Sequence, residues 1–277
     1  MSSQVHTRAM RPSVALINRS DLPSRPDWTG GVARIYAAHH RSAREGVSEG
    51  LPDLPSIFTP VIALREAGDA MSRAAAEAPR HGAGTLVWVR SWARVEAAVV
   101  LEPELPLAAA RPALLAAATA FADSAAPYGP AELPLSFDWP ATIRVNGGRV
   151  GEARLAAPAG CAEDAVPDWL VVGIEIAFAA PAGAEQGLSP DTTTLFEEGF
   201  NDTTPAELTA GWARHLMANL ADWQGGGFRL LAERYLARLD PRLAQGARRG
   251  LDPATGDLVV HRGAGTERHP LAGVPAA

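Results

Sequence analysis

Apolar residues along this chain come in short runs, and the period of those runs changes several times. Residues 1–50 show no sustained period. They hold seven Arg, four acidic residues and scattered Gly and Pro. So little patterned apolar surface cannot join a core, which predicts a poorly ordered extension. An overcalled start or an organelle-type leader are the competing readings of that segment. From Leu54 onward the pattern becomes regular. Residues 57–64 read as a strand and 68–78 as a short helix. A turn signal at 81–84 precedes two β-rich runs, 85–90 and 95–101, which end at Pro103 and Pro106.

The stretch 111–125 is rich in Ala and Leu and carries Pro112 in its first turn, a helix signature. A β-rich block follows. Runs 135–145 and 149–156 are joined by Asn146-Gly147-Gly148. Asn-Gly tolerates positive φ at both central turn positions, so a tight hairpin is predicted there. Run 169–178 is a third long strand, and 179–202 reads as a loop. Thr204-Pro205-Ala206-Glu207 opens a helix to about 223, with a capping Thr, a first-turn Pro and a Glu three residues on. The glycines at 225–227 break it, and 228–239 reads as a second helix. Two short β segments, 256–261 and 266–269, close the chain. Strands and helices are partly segregated, which predicts an α+β fold: a mainly antiparallel sheet with helices packed on it. The expected organisation is an extension at 1–50, a core domain at 51–243 and a small C-terminal β appendage at 244–277.

Composition then narrows the chemistry. The 277 residues are 47% apolar, enough for a sizeable core. A formal net charge of −6 argues against a nucleic-acid partner. All 25 basic residues are Arg, a bias that a GC-rich genome also produces. Without Lys, the chain has no side-chain amine for a Schiff base or a phosphate contact. A single cysteine, Cys161, excludes an internal disulfide and fits a reducing compartment. The Ala-rich run 105–122 is interrupted by Arg111 and Pro112, so no membrane span is expected. With no apolar signal core at the start, the expected location is cytoplasmic. No His-Glu-x-x-His or Cys-x-x-Cys spacing occurs, so no metal site is expected.

Three stretches carry a further signal. Asp138-Trp139-Pro140 is followed by Ile143-Arg144-Val145-Asn146-Gly147-Gly148-Arg149-Val150-Gly151. Val171-Val172-Gly173-Ile174-Glu175-Ile176 comes next, and then the two closing helices with their β tail. In this order and spacing, over residues 54–265, the chain resembles the biotin/lipoate protein ligase family. The resemblance implies a ligase-like domain with a small SH3-like remnant at 244–277. It implies a small carboxylic acid as substrate: biotin, lipoate or octanoate. It further implies activation with ATP, and Mg, to an acyl-adenylate, then transfer to a lysine of a biotinyl or lipoyl carrier domain. Departures from the family are specific. Arg149 stands where the family has a lysine that touches the reacting carboxyl and phosphate oxygens. Asp138 replaces another lysine, and Ala141 and Thr142 replace a polar pair. The Gly/Arg-rich ligand loop shrinks to Arg90-Ser91-Trp92-Ala93-Arg94, and Ala177 replaces an Asn. These changes leave open a non-catalytic module that binds an acyl group or an acylated carrier. A third reading is a transferase that uses a preformed acyl donor without ATP.

By this resemblance Arg149 is the candidate catalytic group. Arg90, Trp92, Asp138, Trp139, Pro140, Asn146, Gly151 and Gly173 are candidate substrate-binding residues. Each has a structural alternative. Arg149 is otherwise a hairpin ion pair with Glu152 or Asp138, and Arg90 and Arg94 otherwise solvate a strand end. Trp92 and Trp139 wall an acyl slot or pack in the core. Gly151 and Gly173 admit a ligand near the backbone or mark a bulge. Glu175 alternates away from Ile174 and Ile176, so it is solvent-facing or a paired buried carboxylate. Cys161, flanked by Glu163 and Asp164, is a poor thiolate candidate.

Overall fold

A computed structural model describes residues 50–180 and 191–272. The predicted extension up to residue 49, and residues 181–190 of the predicted loop, lie outside the described residues. Seven strands are β1 (Val61–Leu64), β2 (Leu86–Val89), β3 (Arg94–Leu101), β4 (Leu135–Asp138), β5 (Thr142–Val145), β6 (Gly148–Ala156) and β7 (Leu170–Ala177). They form one sheet in the order β1-β2-β3-β7-β6-β5-β4. Only β1 and β2 run parallel; every other pair is antiparallel. Helices α1 (Ala70–His81), α2 (Leu107–Ala110), α3 (Ala113–Ala125), α4 (Pro205–Gly226) and α5 (Phe228–Leu236) pack on it. A second sheet joins β8 (Arg248–Leu251), β9 (Leu258–Arg262) and β10 (Gly265–His269). The mixed, mainly antiparallel α+β architecture matches the expectation. No described helix is long and apolar enough to cross a membrane.

Side-chain alternation divides the sheet into two faces. Val95, Ala97 and Val99 of β3, Val172, Ile174 and Ile176 of β7, and Ala153 and Leu155 of β6 join one core with α3, α4 and α5. Trp212 of α4 is fully buried there, and its Nε1 donates to the Ala117 carbonyl of α3 at 3.1 Å. On the other face, α1 lays Ala70, Met71, Ala74 and Ala78 against Val87, Val89, Ala98, Val100, Ala156 and Val171.

Local rules account for the boundaries. Asn146 and Gly147 both take positive φ, 52° and 81°, and close the β5–β6 hairpin as predicted. Thr204 caps α4 and exchanges hydrogen bonds with Glu207. Two strand predictions need correction. The run 135–145 is not one strand but the β4–β5 pair, folded back at Trp139-Pro140-Ala141, because Pro140 has no N–H for a ladder. The run 57–64 contributes only β1, since Pro60 interrupts it. Helix α5 stops at Leu236, and Leu239 instead bridges Phe137, covering the β4 edge. The C-terminal sheet gains a strand, β8, with a weak apolar period. Its Leu258 and Val260, with Leu271, share the main core rather than forming a separate one.

Candidate functional site

The half of the α1 face that α1 leaves uncovered carries charge instead of apolar side chains. Glu96 of β3 sits opposite Glu175 of β7, and Glu175 opposite Glu152 of β6. Like charges directly across a ladder repel, so such a row persists only if each carboxylate is neutralised. Each has an arginine. Arg94 Nε donates to Glu96 at 2.6 Å, Arg154 reaches Glu175 at 3.1 Å, and Arg149 reaches Glu152 at 2.7 Å.

Burial makes the three pairs unequal. Glu96 is 6% exposed. Its Oε1 accepts from the Ala70 N–H at the first turn of α1, 2.7 Å away. Asp69 caps the same helix by accepting from the Ser72 backbone and hydroxyl. Burial works against ionised Asp69, but those hydrogen bonds and the nearby Arg154 guanidinium hold its carboxyl below the ordinary range. Arg94 also donates to Glu66 Oε1 and to the carbonyls of Glu66 and Gly68. Glu96 and Arg94 together therefore fasten the β1–α1 loop to the sheet. A helix N-terminus attracts anions; here two carboxylates of the chain itself already occupy it.

One end of the sheet gathers several predicted residues. The Ala93 carbonyl accepts from the backbones of Phe178 and Ala179, and Ala177 accepts from Leu195. Thr193 donates to Arg149, whose own N–H donates to Asp191. So the 90–94 turn, the end of β7, residues 191–195 and the start of β6 lie side by side. Trp92 stands at this end 40% exposed, and Arg90 is partly exposed beside it. The Arg149 side chain is 47% exposed and bound to Glu152. Asn146 is exposed in the neighbouring hairpin turn.

Other predicted residues lie elsewhere. Asp138 pairs with Arg144 at 2.5 Å, which restores the local charge balance. Trp139 lies edge-on to Tyr235 of α5, with ring centroids 6.1 Å apart. Tyr235 donates to the Pro140 carbonyl at 2.6 Å. Burial, aided by Asp138, keeps that phenol protonated. Trp139 and Pro140 thus anchor α5 to the β4–β5 turn. The two glycines serve packing. A Cβ on Gly173 would lie 2.5 Å from Met71 Sδ and 2.7 Å from the Ala97 carbonyl, so the space is filled by α1, not left for a ligand. A Cβ on Gly151 would meet the Glu175 carbonyl at 2.0 Å, beside a register shift that makes a β-bulge. Glu175 is exposed and paired, the first of its two readings. Cys161 lies near the Ala162 and Ala165 carbonyls. Among the described residues no cluster could hold a metal ion.

Sequence reasoning did not single out Glu96, Asp69 or Arg154. Glu96 carried one usable signal: a lone carboxylate inside the apolar run of β3.

Comparison with known proteins adds the following. The sequence profile of the biotin/lipoate A/B protein ligase family matches residues 54–237. A structure from Silicibacter, described as a biotin protein ligase-like protein of unknown function, is 28% identical with a TM-score of 0.68. The match covers 79% of this chain and 96% of that one. A biotin protein ligase of Aquifex aeolicus, solved with biotin, is 17% identical with a TM-score of 0.56, covering 77% and 96%. That of Leishmania major with biotinyl-5-AMP is 17% identical with a TM-score of 0.51, covering 76% and 98%. No protein of curated function matches this chain in sequence.

Proposed function

The chain belongs to the biotin/lipoate A/B protein ligase family, and from that premise we propose that it binds a small carboxylic acid, or the acylated arm of a carrier domain, without activating it as an adenylate. Biotin, lipoate and octanoate are the ligands to test, since ligases of this fold are known with biotin and with biotinyl-5-AMP.

The observation that carries this reading is the neutralised charge row. Forming an adenylate concentrates negative charge on phosphate oxygens and needs preorganised cations that are free to meet it. Arg94 is committed to Glu96 and to the β1–α1 loop. Arg154 faces Glu175, and Arg149 faces Glu152. The N-terminus of α1 holds Glu96 and Asp69. These commitments count against ATP, and no Lys supplies a mobile ammonium. A single carboxylate asks for less. Arg149 is half exposed and held by one exposed partner, so a ligand carboxylate can compete with Glu152 for its guanidinium fork. Arg90 and Trp92 offer a second cation and an aromatic wall at the same end.

The alternative, a working ligase with Arg149 in place of the lysine, is separated by one experiment. ATP–pyrophosphate exchange is measured with biotin, lipoate and octanoate, beside thermal-shift assays of the same acids. A thermal shift without exchange supports the binding protein. Exchange above the no-acid background overturns it.

A further inference from the structure

The helical layer, on the far side of the sheet from the charged row, carries a polar cluster that the reading above does not use. His215 and Asn219 of α4 are four residues apart and share one face of the helix. Asn219 is 3% exposed. Its Oδ1 accepts from Arg234 of α5 at 2.9 Å, while its Nδ2 has no partner among the described residues. Exchanging the amide O and N would set one donor against another, so the open group is a donor. A buried donor without an acceptor destabilises the fold, and a bound partner recovers that loss.

The surroundings are rich in further donors. Arg234 pairs with Asp222 at 2.8 Å, and Arg238 of α5 pairs with Asp123 of α3 at 2.7 Å. Arg214 adds a third guanidinium, whose NH1 is bound to the Asp53 carbonyl rather than to a carboxylate. His215 lies within the field of Asp123, Arg214, Arg234 and Arg238. Two paired guanidiniums, an imidazole and an open amide N–H therefore lie together with two carboxylates, and Arg214 is close enough to act on His215.

We propose that the junction of α3, α4 and α5 is a binding site for a small oxyanion, of the carboxylate or phosphate class, whose oxygen accepts from Asn219 Nδ2. The imidazole couples this site to pH. Without an anion, burial pushes the His215 pKa down, Asp123 pulls it up, and the three arginines push it further down. A bound anion favours the protonated ring. Proton uptake therefore accompanies binding, and affinity rises as pH falls through the histidine range.

Inorganic sulfate is the probe, because it does not titrate in this range. Binding to the full chain is followed by the His215 imidazole NMR signals, with chloride at equal ionic strength as the control. The expected result is saturable binding, about tenfold tighter one pH unit lower across the histidine transition. Asn219→Ala should abolish it. His215→Gln, which places a neutral polar side chain at a partly exposed position, should still bind sulfate but lose the pH dependence. The proposal is overturned if sulfate gives no saturable change beyond chloride, the outcome expected if water alone fills the amide. It is equally overturned if Asn219→Ala binds as well as the unaltered chain.

Discussion

The two faces of the seven-stranded sheet are built from the same strands under different rules. On the face toward α3 and α4, Val95, Ala97, Val99, Val172, Ile174 and Ile176 bury apolar surface, a non-directional force that tolerates small shifts. On the other face the same strands present Glu96, Arg154, Glu175, Glu152 and Arg149, whose stability depends on pairing. Neighbouring carboxylates repel unless each arginine is in place. The apolar face explains why the domain folds. The charged face carries the proposal that no adenylate forms, since Arg94, Arg154 and Arg149 are already paired.

Removing a large apolar group should give the largest loss. Trp212→Ala empties a fully buried site and removes the hydrogen bond that ties α4 to the Ala117 carbonyl. It should cost about 4 kcal/mol in urea unfolding. Glu96→Ala should come next, at about 3 kcal/mol, because it leaves Arg94 and the Ala70 N–H without their buried partner. The double variant Glu96→Ala/Arg94→Ala should lose less than the sum of the two single losses. An additive result would show that the pair is not coupled. Gly173→Ala tests where the faces meet. A methyl there strikes Met71, which yields, and the Ala97 carbonyl, which does not. A loss of about 2 kcal/mol is expected, with ligand binding unchanged once the protein is folded. Loss of binding at full stability would return Gly173 to the ligand site.

His215 gives a smaller, pH-dependent effect. Its folded pKa lies below the ordinary 6.5. At pH values between the two, the unfolded chain binds the extra proton. The stabilising contribution is therefore complete above the unfolded value and is lost as pH falls from there through the folded value. In chloride alone, melting temperature should fall more steeply from about pH 7 to pH 5 in the unaltered chain than in His215→Gln. Parallel curves would remove His215 as the titrating group.

The apolar face was legible in the sequence because its signals are local: period-two strands, an Asn-Gly turn, and the Thr204–Glu207 capping box. The charged face was not, because its row exists only through register. Glu96, Glu175 and Glu152 are far apart in sequence and become neighbours when β3, β7 and β6 align. Arg149 was visible as a candidate for its place after the hairpin, and so was Glu152 as a possible partner. Glu152 and Asp138 were both open as the partner of Arg149, and the fold decides it: Arg144 takes Asp138, and Arg149 takes Glu152 across the β-bulge before Gly151. Trp139 and Pro140 drew notice through resemblance, while their contact with Tyr235 of α5 is a long-range event.

The smallest expected effect on stability is also the sharpest test of the charged face. Arg149 and Glu152 are both substantially exposed, with side chains 47% and 39% accessible. Solvent screens such a pair, so either alanine variant should change unfolding stability by less than about 0.5 kcal/mol. Their effects on ligand binding should have opposite signs. If Arg149 receives a ligand carboxylate, Glu152 competes for the same guanidinium. Glu152→Ala then frees the fork and should tighten biotin, lipoate or octanoate binding by about twofold to fivefold, the scale of one exposed ion pair. Arg149→Ala should weaken it by about tenfold or more, the scale of one charge-assisted hydrogen bond. Arg149→Lys should fall between, since an ammonium keeps the charge but cannot make the bidentate contact. Calorimetric titration of the three variants at one ionic strength reads all three effects. If Glu152→Ala and Arg149→Ala weaken binding alike, the pair acts as a unit that shapes the hairpin, and Arg149 does not touch the ligand.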